Sequence, residues 1–96
     1  MLAVGSAVKR ARKGVIKTRL TIDTGGLRIV EAYITGDFFL YPEDALWKLE
    51  ELLKGAAVAE VADRVKDALK DARLVGSTVE DFIEVIMKAV EGAGVR

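Results

Sequence analysis

The chain has 96 residues, 51% of them hydrophobic, with 15 Lys and Arg set against 15 Asp and Glu. That length bounds it to one domain with a modest core, the apolar content excludes disorder over most of it, and zero net charge excludes a general attraction to polyanions. Without Cys or His there is no disulfide, no thiolate chemistry, no zinc–thiolate or Fe–S site, and none of the usual general base near neutral pH.

Asn and Gln are absent too, a depletion of thermolabile residues that fits a hot environment and that biased base composition would also produce. The opening, MLAVGSAVKRARKG, carries its charges after its apolar residues, the reverse of a secretory signal, and no apolar run reaches the length of a membrane span. A single cytoplasmic domain over residues 1–96 is expected, with 1–8 and 93–96 expected to fray unless Leu2–Val8 supplies an extra strand.

Basic residues crowd the start: Lys9, Arg10, Arg12, Lys13, Lys17 and Arg19. Val15–Asp23 then alternates, with Ile16, Leu20 and Ile22 on one face and Lys17, Arg19 and Thr21 on the other, which predicts a half-buried strand. Asp23–Gly26 offers two glycines for a tight turn with positive φ. The return strand, Leu27–Thr35, places Val30, Ala32 and Ile34 on one face and Leu27, Ile29 and Tyr33 on the other, a pattern expected of a strand covered on both sides.

Pro42 stands at the start of a helix whose first turn holds Glu43 and Asp44, near the positive end of the helix dipole. Its stripe is Ala45, Leu46, Leu49, Leu52 and Leu53, and Gly55 ends it; Trp47, Glu50 and Lys54 project from the opposite face. Val58, Val61, Ala62, Val65, Ala68, Leu69 and Ala72 predict a second helix ended by Gly76. Ser77 and Glu80 have the spacing of a capping box for a third, with Val79, Phe82, Ile83, Ile86 and Val90 as its stripe. The fold class is α+β: an antiparallel hairpin, or a three-stranded sheet if the N-terminal residues join, packed against three helices.

The inventory for chemistry is thin. Gly25–Gly26 joins strand to strand and so does not read as a phosphate-binding loop. Ser6, Thr24 and Ser77 have no histidine to activate them. Glu60, Asp63, Asp67 and Asp71 are interleaved with Lys and Arg and read as solvated ion-pair decoration of a helix, in preference to a metal site. The basic arm Lys9–Lys13 reads either as a phosphate or nucleic-acid contact or as a solvated lead-in to an edge strand; few aromatics accompany it, so base stacking has little support.

One stretch departs from this plainness. Between the return strand and the first helix lie Gly36, Asp37, Phe38, Phe39, Tyr41 and Pro42. The Asp37 carboxylate is placed to accept backbone N–H groups and fix the turn. Adjacent phenylalanines on extended backbone point to opposite sides, so one fills the core while the other faces out. With Tyr41 and Trp47 they predict a docking surface for another protein.

ITGDFFLYPEDALWKLEELLKG (residues 34–55) resembles the C-terminal accessory domain of lipoate–protein ligases, and especially the separate small subunit of two-chain ligases. Ile34, Gly36, Asp37, Phe38, Phe39, Pro42, Glu43, Ala45, Leu46, Leu49 and Glu50 follow the family order of I-x-G-D-F-F, apolar-proline connection and acidic-leucine helix. The lead-in departs from it: KRARKGVI keeps Lys9 and Lys13 in approximate place but has Gly14 alone where the family has a glycine pair followed by lysine.

The resemblance implies a non-catalytic subunit that binds no cofactor alone and pairs with a catalytic subunit. That partner binds lipoate, ATP and Mg²⁺, forms lipoyl-adenylate with release of pyrophosphate, and transfers the lipoyl group to a lysine of an acceptor domain. It further implies that the small chain serves the adenylation half, docking through Gly36, Asp37, Phe38, Phe39, Tyr41, Pro42 and Trp47, with Lys9 and Lys13 as candidates for a phosphate or adenylate contact. Competing readings are a stand-alone interaction module using the same aromatic surface and a nucleic-acid-binding domain using the basic arm.

Overall fold

Apolar residues at alternate positions draw the first half of the chain into three antiparallel strands. In the computed structural model, which describes residues 1–95, β1 (Leu2–Arg10), β2 (Val15–Asp23) and β3 (Arg28–Asp37) form one sheet in that spatial order. A second, two-stranded sheet pairs β4 (Phe39–Tyr41) with β5 (Arg73–Val75). Three helices complete an α+β fold: α1 (Asp44–Leu53), α2 (Val61–Leu69), preceded by a 3₁₀ turn at Val58–Glu60, and α3 (Val79–Gly92). Helix α3 lies across β1 and β2, α1 lies beside β3, and α2 packs against both helices.

The core forms where the predicted stripes meet. Ile16, Leu20 and Ile22 of β2 are fully buried against a layer that includes Leu49, Leu53, Val61, Val65, Phe82 and Ile86. The N-terminal residues, expected to fray or to add a strand, add it: β1 pairs with β2 along its whole length, Leu2 opposite Asp23 and Arg10 opposite Val15. Its inner positions are Ala3, Gly5 and Ala7, too small to show as a hydrophobic period, and their smallness lets α3 approach. A Cβ on Gly5 would run into the Ala89 carbonyl oxygen and stand 2.6 Å from the Ala93 nitrogen.

The two-sided apolar pattern of β3 is resolved by a bulge. Thr21 faces Glu31 but Ile22 faces Ile29, so Val30 is the extra residue. The shift brings Ile29 onto the inner face with Ala32 and Ile34 and leaves Val30 outside, in place of the expected Val30–Ala32–Ile34 face. The β2–β3 turn differs as well: its positive φ falls on Leu27 (52°), not on Gly25 or Gly26. The Asp23 carboxylate, accepting the Gly25 N–H at 3.0 Å, holds the turn from the other end.

The outer edge of β3 is closed by α1 and the turn at its C-terminal end. Gly55 N–H donates to the Ile29 carbonyl (2.7 Å) and Ile29 N–H to the Ala56 carbonyl (2.8 Å), while the Glu50 carboxylate accepts the Ile34 N–H (2.8 Å). The second helix is shorter than its stripe suggests, ending at Leu69, and Gly76 terminates β5 instead of a helix. The cap of α3 falls one residue later than expected. Thr78 Oγ1 accepts the Asp81 N–H (3.1 Å) and Asp81 accepts the Thr78 N–H (2.9 Å), whereas Ser77 is buried with its hydroxyl unpaired among the described residues. S-x-x-E and T-x-x-D overlap in STVED, so spacing alone does not choose between them. At the other end Val95, expected to fray, is buried against the core.

Gly5 thus carries the closest helix–strand approach, and Gly26, with nothing within 4 Å of a Cβ, provides its control. Gly5→Ala is expected to lower the unfolding free energy by about 1–3 kcal/mol. Gly26→Ala should leave it unchanged or raise it by up to about 1 kcal/mol. Urea denaturation of the two variants beside the parent checks both.

Candidate protein-docking site

The two-residue period of β3 does not stop at its end. Ala32, Ile34, Phe38 and Leu40 turn inward, whereas Tyr33, Thr35, Asp37, Phe39 and Tyr41 are exposed. The chain passes the end of the sheet at two glycines. Gly36 has φ of 134° and Gly14 of 92°; a Cβ on Gly36 would strike the Val15 carbonyl oxygen, and one on Gly14 the Asp37 carbonyl oxygen. No side chain fits at either crossing, and the positive φ disfavours one independently.

Beyond the crossing Phe38 meets the fully buried Phe82 of α3 edge-on, ring centroids 5.4 Å apart and planes at 85°. Its neighbour Phe39 is 52% exposed and Tyr41 63%. The exposed Pro42 accepts the Ala45 N–H through its carbonyl (3.0 Å) and leads into α1. Trp47, 69% exposed, stands on the helix face that Glu50 and Lys54 tie to β3, the latter by an ion pair with Glu31 at 3.5 Å. Pairing of β4 with β5 holds the segment from behind, Phe39 opposite Val75 and Tyr41 opposite Arg73. Sequence reasoning missed β5, because three residues are too few to show a period and the partner strand lies more than thirty positions away.

Charge is arranged unevenly around this junction. Lys9 points to the inner side of β1 and is committed to α3, paired with Glu84 and, at 3.6 Å, with Asp81. Lys13 is placed differently. Its backbone N–H donates to the Gly76 carbonyl (2.8 Å), its stem rests on Gly76, and its ammonium makes no ion pair among the described residues. With Gly14, Asp37, Phe38, Phe39 and Val75 it lines a shallow depression of about 360 Å³. A second, of about 390 Å³, shares Phe38 and Phe39 and runs to Tyr41 and Leu46. The Asp37 carboxylate, expected to fix the turn, accepts no hydrogen bond among the described residues; the turn is set by the glycine crossings.

Of the residues singled out in the sequence, Lys13, Gly36, Asp37, Phe38, Phe39 and Tyr41 therefore come together, Pro42 and Trp47 continue the surface onto α1, and Lys9 is held apart. The arrangement offers aromatic area and, among the described residues, two cations outside any ion pair, Lys13 and Arg73. Among the described residues no group of three or more Asp or Glu could hold a metal ion, and no helix is long and apolar enough to cross a membrane. A larger depression, about 580 Å³ between Leu27, Val58, Met87 and Val95, lies away from the junction, with Glu91 the one charged side chain among its described lining residues.

No protein-family model matches the chain. It is similar to lipoate-protein ligase A subunit 2 of Thermoplasma acidophilum, 37% identical over 78 residues that make up 80% of this chain and 81% of that protein. Its fold superposes with a TM-score of 0.83 and 34% identity on a chain of a solved archaeal lipoylation system, a bipartite lipoate protein ligase and its E2 lipoyl domain from the same organism. That match covers 90% of this chain and 97% of the other.

The Lys9 contacts set a pH dependence. Chiefly through its hydrogen bond to Lys9, Glu84 is held below the ordinary carboxylate value of 4.5; the same bond raises Lys9 above 10.5. The stabilisation is complete between those ordinary values. It is lost as pH falls through the lowered Glu84 value, and again as pH rises through the raised Lys9 value. Lys9→Met is expected to shrink the acid limb of the stability profile, while Lys13→Met leaves it unchanged. Glu60, held low by the Ala57 N–H, keeps its share in both variants. Urea midpoints measured from about pH 3 to pH 7 check this.

Proposed function

The chain belongs to the family of second subunits of bipartite lipoate–protein ligases, and from that premise we propose that it is a non-catalytic accessory subunit required by a catalytic chain. In this reading the catalytic chain holds lipoate, ATP and Mg²⁺ in the cytoplasm and forms lipoyl-adenylate with release of pyrophosphate. It then transfers the lipoyl group to a lysine of an acceptor, the lipoyl domain named with the solved relative being the kind of acceptor assigned. The observation that carries the reading is an alignment at 37% identity over four fifths of this chain and of the relative.

The residues support a division of labour. A chain without His or Cys has no ready base or thiolate to offer the reaction. Adenylation instead needs a closed site in which fixed charges act on phosphate away from bulk water, and a small domain contributes by closing over it. Phe39, Tyr41 and Trp47 supply the anchors for that closure, set outward by the alternation that seats Phe38 inside. Of the two candidate lysines, Lys13 is assigned the phosphate contact, since Lys9 is occupied by Asp81 and Glu84.

Pyrophosphate release from ATP and lipoate is the test, using the catalytic chain of the same organism with and without this protein. Activity is expected only with both chains. Phe39→Ala and Trp47→Ala should stay within about 1 kcal/mol of parent stability but weaken association about tenfold or more. Lys13→Ala should slow pyrophosphate release at saturating subunit while leaving association intact. A catalytic chain that turns over equally well alone would sink the proposal.

A further inference from the structure

The three aromatics of the junction do not by themselves amount to a standard stable interface. At their observed exposures, Phe39, Tyr41 and Trp47 offer on the order of 400 Å² of aromatic surface, against about 800 Å² per partner in a standard stable interface. A second uncovered surface adjoins it. We propose that the open face of the three-stranded sheet completes the interface with the catalytic chain, and that the catalytic-chain surface seated on it is acidic. This deepens the accessory-subunit reading and rests on it.

The ladder assembles the face. Val8, Lys17 and Thr35 lie abreast on β1, β2 and β3, and in the next outward row Ser6, Arg19 and Tyr33 do the same, with Val4 beyond. All of these are exposed, because the helices pack on the other side. Val4, Val8 and Tyr33 each expose half or more of their surface, and Val8 and Tyr33 border, with Lys17 and Arg19, a shallow trough of about 470 Å³.

Where this face meets the junction cations outnumber acids, Arg10, Lys17 and Arg19 standing with Asp37, which makes no ion pair among the described residues. The acids at its far end are engaged, Asp23 by the N-terminal ammonium at 3.6 Å and Glu31 by Lys54 at 3.5 Å. Lys17 and Arg19, by contrast, make no ion pair among the described residues. An acidic complement would raise the association rate and fix orientation. The alternation that exposes Tyr33 and Thr35 continues through Asp37, Phe39 and Tyr41, so the face and the junction form one strip along a single stretch of chain.

That strip disfavours the other occupants. A second copy docked about a two-fold axis would set Lys17 and Arg19 against the same cations. A nucleic acid would gain phosphate contacts there but would also bury Val4 and Val8 against its backbone, with Tyr33 the one aromatic of the trough available for stacking.

The experiment measures binding of the full chain to the same-organism catalytic chain at low and high salt. It compares the parent with Lys17→Glu/Arg19→Glu and with the charge-neutral Lys17→Thr/Arg19→Thr, whose β-branched residues suit a strand. Parent binding is expected to weaken with salt, the charge reversal to raise Kd about tenfold or more with loss of that salt dependence, and the neutral pair to fall between. Circular dichroism and denaturation midpoints establish that each variant is folded; should the reversal misfold, the neutral pair decides. Folded variants that bind with parental Kd and salt dependence overturn this inference while leaving the accessory role standing. If the parent does not bind the catalytic chain at all, the accessory role falls and this inference with it. The inference is also overturned if the substitutions spare catalytic-chain binding and instead abolish self-association in sedimentation or binding to a duplex or single-stranded oligonucleotide.

Discussion

The edge-on contact of Phe38 with Phe82 fixes the sense of everything between the sheet and the first helix. Side chains alternate on extended backbone, so seating Phe38 in the core commits Phe39 and Tyr41 to the surface. Such a pair contributes about 0.5–1.5 kcal/mol beyond the area it buries. Its directional effect is larger than that figure suggests, because a one-residue slip would bury Phe39 and turn Phe38 out. The glycines at 14 and 36 permit the crossing, and β5 backs the segment from the far side. The junction is thus rigid for a reason visible in its neighbours, and a rigid aromatic surface loses little side-chain freedom when it is covered.

Much of this was legible in the sequence wherever a period ran long enough. The β2–β3 hairpin, the stripes of α1 and α3 and the outward Trp47 all follow from alternation or helical spacing. The failures have separate physical causes. In β1 the inner positions are Ala and Gly, small so that α3 can come close, and that smallness erased the signal of burial. In β3 a bulge changed the parity halfway along, so a single period could not describe the strand. In the stretch after Leu69 a helical stripe continued through Ala72 although the chain had turned toward β4, a long-range pairing that local spacing does not encode. For the site, the residue types were readable, whereas the separation of Lys9 from Lys13 was not. Both lie in one basic run, and it is their places in the fold, Lys9 on the inner side of β1 and Lys13 in the β1–β2 turn, that distinguish a cation spent on α3 from one left facing solvent.

Net charge of zero conceals the same point on a larger scale. Opposite charges are not evenly mixed over the surface: α3 and the far end of the sheet hold neutralised pairs, while the middle of the open face and the β1–β2 turn carry cations alone. Composition therefore argued correctly against a general polyanion binder yet was silent about a local field, which steers an encounter over about a Debye length, roughly 8–10 Å in ordinary salt.

The two borders of the three-stranded sheet differ. On β3 the Glu50 carboxylate occupies the Ile34 amide and the Gly55–Ala56 turn occupies Ile29. On β1 no backbone group from Leu2 to Arg10 has a hydrogen-bond partner outside the β2 ladder among the described residues. An open border is an indiscriminate thing: its amides and carbonyls accept any extended backbone, whatever the sequence, including that of a neighbouring molecule or a partly unfolded chain. Covering Ile29 and Ile34 removes that promiscuity from the β3 side, and Lys9 and Arg10 place charge at the end of the β1 side. Chains carrying the wrong pattern of charge and aromatic shape then find little backbone template beside β3, the strand that leads into the junction.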